Sequence, residues 1–234
     1  MTMLIEKNLS FFFACDEPQQ GNVGTPPKFW ADRFCGPLSF ELEDRKLDRR
    51  ELRKLCADPA TSELAIYVNV MAWGDQGRGV QRRHAASAWA RHRDACRIIR
   101  KLRTGGLTAA AAYDEFRTAD ILGLGPSFFT KLIAFAHPGN DRLIMDQWTG
   151  KSVNILTRQG LVSFAGTSPS RKNCGQDYGK FCDVIGTVAA IATTRGLSNF
   201  DTPWKVEERM FSHGGRKKGP WRQYVIDNWP LDCR

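Results

Sequence analysis

The sequence predicts a mainly α protein, and two kinds of observation carry that prediction. Apolar residues recur at helical spacing in Phe128, Leu132 and Phe135, and again in Tyr178, Phe181, Ile185, Val188 and Ile191. Helix starts and stops punctuate the chain: Thr108 before four alanines, Asp58-Pro59 and Thr202-Pro203 as starts, Gly74 and Gly196 as stops. Only the N-terminal part reads as irregular, and no internal repeat or low-complexity tract is visible.

Composition narrows the function classes. The 234 residues suffice for one large or two small domains, and 42% hydrophobic content allows a real core. A net charge of +9 and a pI of about 9.4 favour a polyanion partner. The seven cysteines are odd in number and contain no Cys-x-x-Cys pair, so neither a zinc knuckle nor a disulfide frame is indicated. Reduced thiols imply an intracellular, cytoplasmic protein. The apolar run Leu9–Ala14 lacks a basic leader of signal type and is too short to span a bilayer, so no membrane association is expected.

Taken in order, Leu9–Ala14 reads as a buried strand or packing segment. Residues 16–37 read as a loop with aromatic anchors Phe29, Trp30 and Phe34; packing on the core is favoured over stacking on a base. Residues 41–55 carry mixed charge with Leu42, Leu47, Leu52 and Leu55, which predicts a solvated amphipathic helix. Asp58-Pro59 is expected to start a buried helix that runs on through Ser62–Trp73 to the stop at Gly74. The following Gly74–Gly79 segment lacks the Gly-Lys-Ser/Thr of a phosphate loop, so a nucleotide site is disfavoured. Asn69 and Gln76 are candidates to read a base edge there. Residues 78–103 hold nine Arg or Lys against one acid, Asp94, with His84 and His92 added. A solvated helix face and contact with a DNA backbone weigh evenly for this run, and Arg78, Arg82 and Arg83 are the candidate contacts.

Thr108–Phe116 reads as a helix with the aromatic pair Tyr113 and Phe116 on one face. Leu122-Gly123-Leu124-Gly125 follows, where two glycines let the backbone turn hard and come close to a ligand. Pro126 suits the first position of the next helix. The unpaired N–H groups of that helix start can face an anion, of which a DNA phosphate is the obvious one. Beyond Asp146, helices are expected over Trp148–Leu156, Gln176–Thr194 and from Pro203 to Phe211, with a polar loop over 159–175. The segment Gly214–Arg222 is basic and glycine-rich with Trp221; a surface loop is favoured slightly over a DNA contact or the rim of a pocket.

The Ala119–Gly150 stretch resembles the helix-hairpin-helix signature of the DNA glycosylase superfamily, in particular the 8-oxoguanine glycosylase branch. In that branch the hairpin reads roughly Leu-Pro-Gly-Val-Gly, followed by a lysine nucleophile and later a catalytic aspartate. Gly123, Gly125 and Asp146 fall at the matching separations. The lysine does not: Ser127 holds its position, and Lys131 lies four residues further on, on the same helix face and one turn deeper. Cys174, Cys182 and Cys233 do not reproduce the iron–sulfur loop of some relatives. The resemblance implies two helical lobes flanking a cleft, one of residues 1–60 and 160–234, the other of residues 61–159 with the hairpin, lysine and aspartate. It implies a monomer acting on double-stranded DNA, with no required cofactor, no metal among the protein's ligating residues, and a monovalent cation at the hairpin carbonyls.

The expected activity is excision of a damaged or modified base, an 8-oxoguanine-type purine favoured, after the base is turned out of the duplex. Lys131, set among Phe128, Phe129, Leu132 and Phe135, would be the Schiff-base nucleophile, and Asp146 would stabilise the sugar cation, with AP-lyase activity as a companion. Gly123, Gly125 and Ser127 would contact DNA, and Asn69, Gln76 and Trp148 would line the base pocket. Taken singly, Lys131 reads as a snorkelling lysine and Asp146 as a helix cap; together with the hairpin, the catalytic pair is favoured. The competing readings are a glycosylase for another modified base, for example in defence against modified phage DNA, and a helix-hairpin-helix DNA-binding protein without activity.

Overall fold

The computed structural model describes residues 3–15, 24–74, 81–139, 142–212 and 218–229. Among them the elements are α1 (Glu6–Ala14), α2 (Pro27–Phe34), α3 (Arg49–Ala57), α4 (Glu63–Trp73), α5 (Gln81–Ala90), α6 (His92–Arg103), α7 (Ala109–Ala119), α8 (Pro126–Ala136) and α9 (Gln147–Thr157). The small strands β1 (Phe164–Ala165) and β2 (Ser168–Pro169) pair antiparallel, and α10 (Gly175–Thr194), a 3₁₀ turn (Ser198–Phe200), α11 (Pro203–Phe211) and α12 (Pro220–Asn228) complete the chain. The mainly helical expectation holds. None of these helices is long and apolar enough to cross a membrane.

The chain forms two compact units, Gly21–Gly139 and Met1–Gln20 with Asn140–Arg234. In the first, α4 is the central helix. Its hydrophobic residues lie all round the axis, and every side chain from Ile66 to Trp73 is buried under α2, α3, α6 and α8. It begins at Ser62, whose hydroxyl accepts the Ala65 N–H at 3.2 Å. The expected start at Asp58 is wrong: the Asp58 N–H closes the end of α3, and Pro59 lies in the turn between the helices. α6 is strongly one-sided, with Ala95, Ile98, Ile99 and Leu102 buried and its arginines turned outward.

Helix α9 is the corresponding core of the second unit, packed by α1, α10, α11 and α12. The start of the chain is tied back onto it. The Ile5 N–H donates to Leu156 O at 2.7 Å, and Asn8 Nδ2 donates to Ile155 O at 2.6 Å. Phe12 meets Trp221 and Phe200 edge-on at 4.7 and 5.2 Å between centroids.

Several local expectations are corrected. Leu9–Ala14 belongs to a helix rather than a strand, because its apolar residues serve a one-sided packing face, with Leu9 and Phe12 about 1% exposed and Phe11 40% exposed. Within residues 16–37, Pro27 opens α2 at a helix-compatible first position; Trp30 is fully buried while Phe29 is exposed. The helix expected over 41–55 begins only at Asp48, which forms a capping box with Glu51. Pro220 opens α12, so Trp221 is a core residue and not part of a surface loop; residues 213–217 of that segment lie outside the described residues.

The unit boundaries also differ from those expected. Residues 21–60 go with the hairpin because α2 packs on α4 and α3 on both α4 and α8. Residues 140–159 go with the C-terminal helices because α9 packs on α10, α11 and α12. The hairpin with Lys131 and the helix capped by Asp146 therefore belong to different units.

The six described cysteines are all free thiols. Burial pushes the thiols of Cys35, Cys56 and Cys96 up to about 12.

Candidate DNA-contact and catalytic residues

Helix α7 starts at Thr108, whose hydroxyl accepts the Ala111 N–H at 3.1 Å. It ends at Asp120 in the left-handed region, with φ 44° and ψ 51°. The turn is anchored on both sides by the buried side chains of Ile121 and Leu124, whose backbones are joined by a 3.0 Å bond from the Leu124 N–H to Ile121 O. Leu122, between them, is 72% exposed at the tip.

The two glycines do different work. Gly123 has φ +83°, and a Cβ placed there would sit 2.1 Å from the backbone oxygen of His84. Glycine is needed for conformation and for close packing of α5 on the turn. Gly125 has φ −78° and open space where a Cβ would be. Its lack of a side chain leaves a smooth approach to the start of α8.

That start has no side-chain cap. The N–H groups of Phe128 and Phe129 both turn back to Gly125 O, at 2.9 and 3.0 Å. The N–H groups of Gly123, Gly125 and Ser127 find no acceptor among the described residues. Three unpaired donors at the positive end of a helix form a ready seat for an anion. The carbonyl oxygens of Leu122 and Gly123 likewise take no donor among the described residues and are of the hard-oxygen type that suits a simple cation.

The basic run divides into spent and unspent charge. Arg91 and Arg97 pair with Asp94 at 2.6 and 3.4 Å, Arg100 with Glu63 at 3.3 Å, and Lys101 with Glu115 at 2.9 Å. Arg103 donates to the carbonyls of Thr61 and Asp58, each at 2.7 Å. Arg82, Arg83 and Arg93 are exposed and have no partner among the described residues. Arg82 and Arg83 immediately precede His84, whose backbone meets Gly123. The unspent charge in this part of α5 is therefore next in sequence to the hairpin contact. Arg78 lies outside the described residues.

Lys131 is half-buried, and its stem runs back along α8, as helix geometry directs. Its Nζ donates to the Ser127 carbonyl oxygen at 2.6 Å and stands 4.6 Å from the centre of the Phe128 ring. Its Cδ and Cε cross the bare backbone of Gly74, where a Cβ would lie 3.1 and 3.5 Å from them.

Asp146, 7% exposed, caps α9. Its Oδ1 accepts the N–H groups of Trp148 and Thr149 at 2.8 and 3.0 Å and the Thr149 hydroxyl at 3.2 Å. In return, the Asp146 N–H donates to Thr149 Oγ1 at 2.9 Å, closing a capping box. Oδ2 has no hydrogen-bond partner among the described residues, and it is not fully enclosed. One carboxylate oxygen thus holds the helix while the other takes no part in the cap.

The expected base-pocket residues fare unequally. Asn69 is 2% exposed and donates from Nδ2 to Ala65 O in its own helix at 2.8 Å. It borders a cavity of about 370 Å³ that is also lined by Glu41, Glu43 and Asp44, whose charge repels a polyanion. Trp148 is half-buried, with the Arg222 guanidinium 4.5 Å and the Lys151 ammonium 5.7 Å from its ring. Gln76 lies outside the described residues.

Sequence reasoning missed the Gly74–Lys131 contact, the His84 backbone under the hairpin and the Thr149 half of the capping box. Only the last had a local signal, Asp146 and Thr149 at capping-box spacing. Among the described residues, no group of three His, Cys, Asp or Glu side chains could hold a metal ion.

The family model described as "Putative 8-oxoguanine DNA glycosylase OGG-like protein" covers residues 16–211. No curated protein and no solved structure matches the chain.

Proposed function

The chain belongs to the OGG-like 8-oxoguanine DNA glycosylase family, and on that footing we propose that it excises an 8-oxoguanine-type purine from duplex DNA with Lys131 as the nucleophile. The observation that carries this reading is the reach of Lys131: its amine arrives 2.6 Å from the carbonyl of Ser127, the residue at the lysine position expected from the resemblance. An amine folded back onto the Ser127 turn from one turn deeper supports that reading.

The duplex phosphates sit on the unpaired N–H groups of Gly123, Gly125 and Ser127, with Arg82 and Arg83 supplying long-range attraction. The carbonyls of Leu122 and Gly123 would hold a monovalent cation, which would supply positive charge near a bound phosphate. The target base leaves the stack for a pocket. The Lys131 amine, deprotonated after leaving the Ser127 carbonyl, attacks C1′. The glycosidic bond breaks, its electron pair leaves with the base, and the base takes up a proton. The Oδ2 oxygen of Asp146 stabilises positive charge that develops on the sugar. The sugar then opens: the C1′–O4′ bond breaks, O4′ takes a proton, and the nitrogen on C1′ becomes a Schiff base; loss of a C2′ proton to water and of the 3′ phosphate by β-elimination gives the lyase product.

The test is incubation with duplexes carrying a panel of modified bases, scoring released base, abasic sites and strand nicks. Release of 8-oxoguanine with nicking is expected. Release of a different base would reassign the substrate, and duplex binding with no release from any member of the panel would leave a DNA-binding protein without activity.

A further inference from the structure

Gly74 ends α4 with φ −69° and ψ −9°, a right-handed conformation open to any residue. The backbone therefore gives no reason for glycine at this place. The reason lies in the neighbouring helix. A Cβ on residue 74 would come within 3.1 Å of Lys131 Cδ and 3.5 Å of Cε, with Val70 O at 3.4 Å. The stem of the lysine occupies the space that a side chain would take.

The register of this contact is held from one residue away. Trp73 packs edge-on against Phe135 at 5.1 Å and 74°, and Phe135 lies one turn beyond Lys131 on α8. The end of α4 is thereby clamped to the face of α8 that carries the lysine. With the helix pair locked, the stem has one floor, and its amine lands on Ser127 O and over Phe128.

We propose that Gly74 is a positioning residue for Lys131: its missing side chain sets the path of the lysine stem and so the place of the amine. This rests on the reading of Lys131 as the nucleophile, but its first measurement does not. A methyl group at residue 74 requires the flexible stem to give by a few tenths of an ångström, and the amine at its end shifts with it while α4 keeps its helical end. Misplacing a reacting group by about 1 Å can cost on the order of 100-fold in rate, so a shift of a few tenths brings a smaller, severalfold loss.

The experiment uses Gly74→Ala in the full chain and two readouts. Reductive methylation with quantitation of Lys131 by mass spectrometry reports the setting of the amine, and is expected to run faster in the variant. Borohydride trapping on an abasic duplex, followed across pH, reports the reaction, and is expected to slow by about three- to fivefold with a shifted pH profile. Unchanged labelling of Lys131 overturns the proposal. So does faster labelling with an unaltered trapping profile, since the position of the amine would then not matter. If Gly74→Ala unfolds, the double variant Gly74→Ala with Lys131→Ala should restore melting, because the stem that clashes is gone; no recovery would show that the fold itself needs the glycine and would overturn the proposal. If trapping proves independent of Lys131 altogether, the nucleophile reading fails while the labelling result still decides the contact.

Discussion

Lys131 donates a 2.6 Å hydrogen bond from its Nζ to the backbone carbonyl of Ser127, four residues earlier in the same helix. The partner is a main-chain atom, so the identity of residue 127 does not matter to the bond. Ser127→Ala should therefore keep covalent trapping by borohydride, whereas Lys131→Gln should abolish it. The exchange Ser127→Lys with Lys131→Cys should retain part of the activity, since the amine would start from the turn it already reaches. Trapping that survives Lys131→Gln would point to another amine. Excision without trapping would mean that an activated water attacks, with Asp146 as its base.

The two hairpin glycines should separate fold from binding. Gly123→Ala places a side chain at φ +83° against the His84 carbonyl, and should lower stability by roughly 2–4 kcal/mol. Gly125→Val meets open space at an ordinary φ, so its melting temperature should stay close to the parent's while duplex affinity drops. Equal damage to stability from both substitutions would refute this division of labour.

Asp146→Asn should leave the protein folded. An amide oxygen can accept the same Trp148 and Thr149 N–H bonds, so stability should change by less than about 1 kcal/mol. Single-turnover excision should fall on the order of 10²–10³-fold, because the neutral amide no longer stabilises a sugar cation. A variant that melts normally and cuts normally would reduce Asp146 to a helix cap.

Duplex affinity should fall linearly with salt on a double-logarithmic plot. Arg82→Ala and Arg83→Ala should each reduce the slope by about 0.9, the value for one phosphate contact. Arg100→Ala and Lys101→Ala should leave the slope unchanged, because those charges already face Glu63 and Glu115. The reverse ranking would move the DNA-facing surface from α5 to α6.

Three thiols, Cys56 buried and Cys35 and Cys96 half-buried, give a probe of their surroundings. With Cys35, Cys56 and Cys96 pushed up to about 12, the reactive thiolate at pH 8 is only about one part in ten thousand. Labelling of these three by a disulfide reagent should be slow in the native protein, rise about tenfold per pH unit, and become fast in denaturant. Rapid native labelling of the buried Cys56 at pH 8 would show that the helices around it open readily.

Much of the molecule was legible from local pattern. The helices after Thr108, Pro126, Asp146, Cys174 and Thr202 follow from caps, prolines and apolar spacing, because those signals act within one or two turns. The ends of α3 and α4 were misplaced because Asp58-Pro59 is a start signal in isolation, while Ser62 offers an equally good cap four residues before the buried run of α4 begins at Ile66. The helices α1 and α2 were missed because short apolar runs fit strand, loop or helix equally until a packing partner chooses.

By itself the sequence determined the helical class, the hairpin with its two glycines, the cap at Asp146 and the one-turn offset of Lys131 from Ser127, all of which are relations between residues close along the chain. The tertiary structure decided which arginines are already paired, that Trp221 and Arg222 serve the core, that Gly123 is spent on His84 while Gly125 is open, and that the Lys131 stem lies on Gly74. Apart from the local pairs of Arg91 and Arg97 with Asp94, the contacts involved join residues far apart in sequence. Their proximity comes from burying α4 and α9 among their neighbours, which no local pattern encodes.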